Sequence, residues 1–157
     1  MNKESAAIVA SSLNWEQAHA TFDNALKGLP PNLRGVRPEK FPHSVWELVE
    51  HIRLAQSDLL DFCVNPKYQE TLKWPDDYWP RSPAPSGEAQ WTASLETIRK
   101  DAAALAQFTT DHAATLEQKI PHGTGQTYLR TVLVAVDHTS YHVGQIVVVR
   151  RLLGAWG

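Results

Sequence analysis

His138 and His142 stand four residues apart. On a helix that spacing puts both imidazoles on one face, about 6 Å apart along the axis and within reach of a single metal ion. The spacing also fits a solvated or core-satisfied pair, so the case turns on a third nitrogen. His51 offers one. It lies among Leu48, Ile52 and Ala55, near an apolar boundary where an imidazole without a partner loses its hydration. A metal shared with a neighbouring helix would satisfy it, as in bundle sites built from facing helices. Three neutral nitrogens leave at least one position open, the mark of catalytic rather than structural sites. A divalent ion held in this way lowers the pKa of a bound water or thiol, the nucleophile that hydrolysis or thiol transfer requires. Zinc, nickel and manganese all accept imidazole.

Other groups are placed to assist. Gln145 lies one turn beyond His142 on the same face and could hydrogen-bond bound water or substrate. Asp58, two turns beyond His51, could orient a ligand or act as a base. Each also reads as an ordinary solvated polar residue, and Asp137 should point away from the His138–His142 face. Cys63 lies about three turns from His51, a distance that suits packing better than catalysis. His19 and His112 read as boundary residues, His43 as part of the loop leading into the second helix, and His122 as an exposed turn residue. No Ser-His-Asp constellation, phosphate-cradling glycine loop or dinucleotide fingerprint is present.

Four segments position these groups. Ser5 to Lys27 repeats apolar residues at helical spacing (Ile8, Trp15, Phe22, Leu26) until Pro30-Pro31 closes it. Ser44-Val45-Trp46-Glu47 fits a capping box and opens a second helix that Asn65-Pro66 ends, which commits Glu47 to the cap. A third helix is expected from Glu88 to Gln118. The fourth is expected from Gln126 to Leu153, with a core stripe of Leu129, Val132, Leu133, Val136, Val143 and Val147 and a left-handed cap at Gly154. Arg150 and Arg151 suit the negative end of its dipole. Between the second and third helices, five prolines forbid a long helix, while Tyr68, Trp74, Tyr78 and Trp79 are too apolar for a solvated linker. A loop that packs down and walls a substrate pocket with Trp74, Tyr78 and Trp79 is expected there. The pattern predicts an all-α, single-domain bundle over residues 1–157.

Composition narrows the function. Fifteen Lys and Arg against seventeen Asp and Glu give a net charge of −2, which lacks the concentrated basic surface that nucleic-acid binding needs. Apolar runs such as Ile146–Val149 are too short to span a bilayer, and no apolar signal core follows Met1. A single cysteine excludes an internal disulfide. A cytoplasmic protein acting on a small molecule, without a nucleic-acid or membrane partner, is the expectation. The competing expectation is a non-catalytic metal-binding or stress-response bundle.

Two stretches carry a family resemblance. His43-Ser44-Val45-Trp46-Glu47-Leu48-Val49-Glu50-His51-Ile52 and Asp137-His138-Thr139-Ser140-Tyr141-His142-Val143-Gly144-Gln145-Ile146 resemble the two signature segments of the DinB-like (DinB/YfiT) superfamily. Leu72-Lys73-Trp74-Pro75-Asp76-Asp77-Tyr78-Trp79-Pro80 resembles a connecting segment of one subgroup. The resemblance spans essentially the whole chain. It implies a four-helix bundle with up-down-down-up connectivity, often a homodimer, with a divalent metal on His51, His138 and His142. It also implies a low-molecular-weight thiol as a cosubstrate, since relatives include thiol-dependent transferases and isomerases. Many members have no established reaction, and the family is distinct from the similarly named DNA polymerase.

Overall fold

The computed structural model describes residues 1–16 and 18–156, and its regular secondary structure is helical. Among these residues there are five α-helices and no strand, only an isolated bridge between Lys119 and Thr127. The helices are α1 (Lys3–Ser12), α2 (Phe22–Leu26), α3 (Val45–Val64), α4 (Glu88–Asp111) and α5 (Tyr128–Leu152). α3 packs against both α4 and α5, α1 lies on α4, and α2 lies on α5.

The first expected helix is two helices. Asn2 caps α1, and the chain turns at Leu13, where the Ser11 and Ser12 hydroxyls bond back to the Ile8 and Val9 carbonyls. Thr21 then starts α2 by accepting the Asn24 amide at 3.1 Å. The continuous stripe was misleading, because Ile8 and Trp15 are exposed while Ala6, Ala10, Phe22, Ala25 and Leu26 are buried. Arg150 secures the end of α2: its Nη1 donates to the Ala25 and Lys27 carbonyls at 2.7 and 2.9 Å. The same guanidinium donates to the Ala155 carbonyl at the end of α5. Gly154 takes the expected left-handed conformation there, with φ 67°.

α3 begins and ends as the sequence predicts. The Ser44 hydroxyl accepts the Glu47 amide, and Glu47 returns the bond to the Ser44 amide while also pairing with Arg37. α4 is shorter than expected, stopping at Asp111 rather than Gln118. Beyond it, Leu116 and Ile120 are buried by packing instead of helical periodicity, and the backbone of 116–120 bonds to the first turn of α5 and the residues just before it: the Leu129 amide donates to the Leu116 carbonyl and the Ile120 amide to the Gln126 carbonyl. Thr127 caps α5 by accepting the Arg130 amide.

The main core joins Trp46, Leu48, Ile52, Trp91, Ile98, Val143, Ile146 and Val149. A second cluster holds Cys63, Leu105, Ile120, Val132 and Ala135. The α5 stripe is rotated from the expected one. Val132 and Val143 are buried as read, but Leu133 faces out, and Ala135, Ile146 and Val149 take the inner positions. By length and composition alone, α5 is also apolar enough to cross a membrane, with mean hydropathy 1.3 over its most apolar stretch. In the fold it is a bundle helix, flanked by α3 and α2.

The loop between α3 and α4 packs down on the domain. Asp58 on α3 accepts from the hydroxyls of Tyr68 and Tyr78 at 2.9 and 2.8 Å, latching two points of the loop to one carboxylate. Further along, Pro83 and Ala84 press against Gly35 so closely that a Cβ on residue 35 would stand 2.3 Å from the Ala84 Cβ.

Candidate metal centre

α3 and α5 lie side by side, and their facing turns bring His51, His138 and His142 together. One ligand atom from each lies within 4.8 Å of the others. The Nε2 atoms of His51 and His138 are 3.0 Å apart. His51 and His142 are almost wholly buried, and His138 is partly so.

Two of the rings are fixed by bonds to their far nitrogens. His51 Nδ1–H donates to the backbone carbonyl of Tyr78 at 2.8 Å. His142 Nδ1–H donates to Gln145 Oε1 at 2.7 Å. With the proton on Nδ1, each ring turns an Nε2 lone pair into the cluster, the arrangement by which metal-ligating histidines are oriented. The donor set therefore fits a divalent ion. Nitrogens about 2.1 Å from a common ion stand ~3.0–3.4 Å apart, which the His51–His138 separation matches. A lone pair aimed at a second imidazole at this distance calls for a shared cation, or for a proton on His138.

The electrostatics favour the neutral rings that metal binding needs. Burial, reinforced by the neighbouring His142 and His51, takes His138 down to about 3. Burial likewise takes His142 down to about 4, with His51 and His43 adding to the effect and the Gln145 bond opposing it. His51 is lowered too, chiefly by burial, while the Tyr78 carbonyl pulls the other way.

Around the cluster, Trp79 is stacked between two histidines: its ring lies 3.9 Å from His51 and 4.0 Å from His43, nearly parallel to both. Trp74 is 6.2 Å from His51 and 67% exposed, so it borders the open side. Tyr78 contributes its carbonyl, and its buried ring turns toward Asp58. Asp58 is thus engaged by two tyrosines rather than by a ligand histidine. Gln145 holds His142. A cleft of about 370 Å³ runs along the same faces of α3 and α5, about two turns from the histidines, lined by Asp58, Tyr68, His122 and Arg130. A cavity of about 240 Å³ between α1, α3 and α4 lies elsewhere, and none of the three histidines lines it.

The remaining candidates fall away from the centre. Cys63 is buried in the second core cluster, its thiol pushed up to about 12 by burial. His112 caps the end of α4 by bonding the Phe108 carbonyl, and His19 bonds its neighbour Ala20. His122 is half-buried rather than exposed, with Nε2–H donating to the Phe62 carbonyl at 3.0 Å. Two contributors escaped the sequence reading. His43 was placed in a loop with no reason to meet Trp79, and the Tyr78 carbonyl is a backbone group that no residue type announces.

A helical protein with a three-histidine centre between two adjacent helices is the class that this fold and site define. The chain belongs to the DinB superfamily, whose family model matches residues 14–146. No curated protein and no solved structure matches it significantly.

Proposed function

We propose that the protein is a metal-dependent enzyme that acts on a small molecule, as a hydrolase or as a transferase using a low-molecular-weight thiol. One observation carries the reading. Three imidazoles converge, two of them held by Nδ1 bonds, and among the described residues no further His, Cys, Asp or Glu joins them. Three protein ligands leave room for an exogenous one, whereas a structural site is closed by four. When bound, a divalent ion here supplies Lewis acidity that makes a thiol or water nucleophilic near neutral pH.

The chain's own groups do the rest. The Tyr78 carbonyl and Gln145 keep the ligand lone pairs pointed inward. Trp79 shields one face of His51 from water, and Trp74 offers an exposed aromatic surface to a substrate at the mouth. The cleft past Asp58 and Tyr68 gives an extended substrate room along α3 and α5.

The test starts with elemental analysis of tag-free protein purified without metal columns, beside the His138→Ala/His142→Ala variant. About one equivalent of transition metal, lost in the variant, is expected. Cobalt-loaded protein should then change its visible spectrum when a thiol is titrated in. A bound ion indifferent to every added thiol and anion would instead make the site a closed, non-catalytic one. No metal uptake at all by the folded protein would dismiss the centre.

A further inference from the structure

The cavity of about 240 Å³ that the histidines do not line has a chemistry of its own. It lies between the end of α1 and the middle of α4, with Gln56 of α3 reaching into it. α4 faces it with Ala102, Ala103 and Ala106, and the space exists because these side chains stop at Cβ. Ile98 and Phe22 add larger apolar walls. A cavity of about 150 Å³ is enough to take up benzene, so this one has room for a two-ring molecule.

Gln56 is only 3% exposed, and its carboxamide is half used. Nε2–H donates to the Ile98 carbonyl at 2.6 Å, which fixes the direction of the group, while among the described residues nothing donates to Oε1. That oxygen keeps a little exposure, and the space it is exposed to is this cavity. A buried acceptor without a partner has lost hydration that an incoming N–H or O–H would restore. Polar side chains nearer the mouth are engaged elsewhere. The Ser11 hydroxyl donates to the Ile8 carbonyl, and Arg99 donates to Asp23 Oδ1 at 2.8 and 3.0 Å. The Asp23–Arg99 pair cancels its own charge, so the mouth favours neither anions nor cations.

We propose that this cavity is a binding site, distinct from the metal centre, for a neutral, compact, largely apolar molecule with one hydrogen-bond donor, of the size of an indole or a naphthol. The donor bonds Gln56 Oε1, and the apolar body lies against Ala102, Ala106, Ile98 and Phe22. Water fills such a space poorly, because alanine, isoleucine and phenylalanine walls return few of the bonds it makes in bulk. A charged ligand would leave its hydration behind and meet no unpaired opposite charge inside. One free acceptor at the end of an apolar chamber is the pattern of small-molecule sites, where a few placed polar groups orient a mostly apolar ligand.

Calorimetric titration of the full chain with indole, and with indene as the isostere that lacks the N–H, tests this. Indole should bind one-to-one and about tenfold more tightly than indene, the margin of one hydrogen bond to a buried acceptor. Gln56→Met keeps the volume, removes the acceptor and should erase that margin by weakening indole alone. Ala106→Leu should fill the space and abolish binding of both, while the protein stays helical and melts at no lower temperature. His138→Ala/His142→Ala should bind indole as the wild type does, which separates this site from the metal centre. No binding of indole, equal affinities for indole and indene in the wild type, a margin that survives Gln56→Met, binding undiminished in Ala106→Leu, or binding lost with the two histidines would each overturn the proposal. Should Gln56→Met fail to fold, the comparison of indole with indene on the wild type still decides.

Discussion

Replacing Gln145 by alanine removes the acceptor that holds His142 Nδ1–H at 2.7 Å, while leaving all three candidate ligands in place. The ring then regains rotation about its χ2 bond and can place its proton on Nε2, the atom needed as a lone pair. Loss of such an outer partner typically lowers metal affinity 10–100-fold, or about 1.4–2.8 kcal/mol. Gln145 is only half-buried and makes this single side-chain bond, so the fold should be little affected. Competition between the protein and a chromophoric chelator for zinc would measure the change. Gln145→Glu gives the opposite control: a carboxylate is a stronger acceptor for the same Nδ1–H and should hold zinc at least as tightly as the wild type. Zinc affinity within twofold of wild type for the alanine variant, at unchanged helicity, would refute the assignment of Gln145 to orienting His142.

Asp58→Ala should release both Tyr68 and Tyr78 from α3 and destabilise the fold by about 2–4 kcal/mol, two bonds to a charged acceptor less their compensation by water. It should also weaken zinc binding through the freed Tyr78 carbonyl, and a denaturant melt paired with the zinc titration would read both effects. Gly35→Ala forces Ala84 and its backbone away and should cost about 1–3 kcal/mol, seen as a fall of roughly 3–10 °C in the thermal midpoint. The pH dependence has a definite sign. His51, His138 and His142 are all lowered by burial, so the unfolded chain binds protons that the folded one refuses. Metal-free stability should therefore be full above about pH 6.5 and fall steadily as the pH drops toward 4 and then 3. Melts across that range that show no acid slope, or a slope unchanged in His138→Ala/His142→Ala, would contradict the burial of these rings as neutral species.

The parts of the structure legible in the sequence are those set by local chemistry. The Ser44–Glu47 capping box marks the start of α3 because the two side chains satisfy each other's amides, whatever the rest of the chain does. The four-residue spacing of His138 and His142 fixes their common face for the same reason. Tertiary choices were less visible. Ala6 and Ala10 are buried where the larger Ile8 is not, so the periodicity of apolar residues ran through a turn that Thr21 caps. α4 ends at Asp111 because the backbone of 116–120 finds partners across space, and nothing in Ala113–Gln118 forbids a helix. Leu133 was legible as apolar but not as outward-facing, since a long helix with apolar residues on two sides does not say which side meets the core. At the centre, the three histidines that converge were readable as a set, whereas the carbonyl that orients His51 belongs to a loop whose path depends on Asp58.

The stacking of Trp79 against His51 has an optical consequence. An indole 3.9 Å from the His51 imidazole, with Trp74 at 6.2 Å, puts two of the chain's six tryptophans next to the centre and leaves Trp46 and Trp91 with each other in the core. Cobalt, nickel or copper arriving at the histidines would quench the near pair more strongly than the buried one, while diamagnetic zinc would leave both bright. The protein thus carries internal fluorophores that distinguish one ion from another without a label, and Trp79→Phe would remove the nearer of the two.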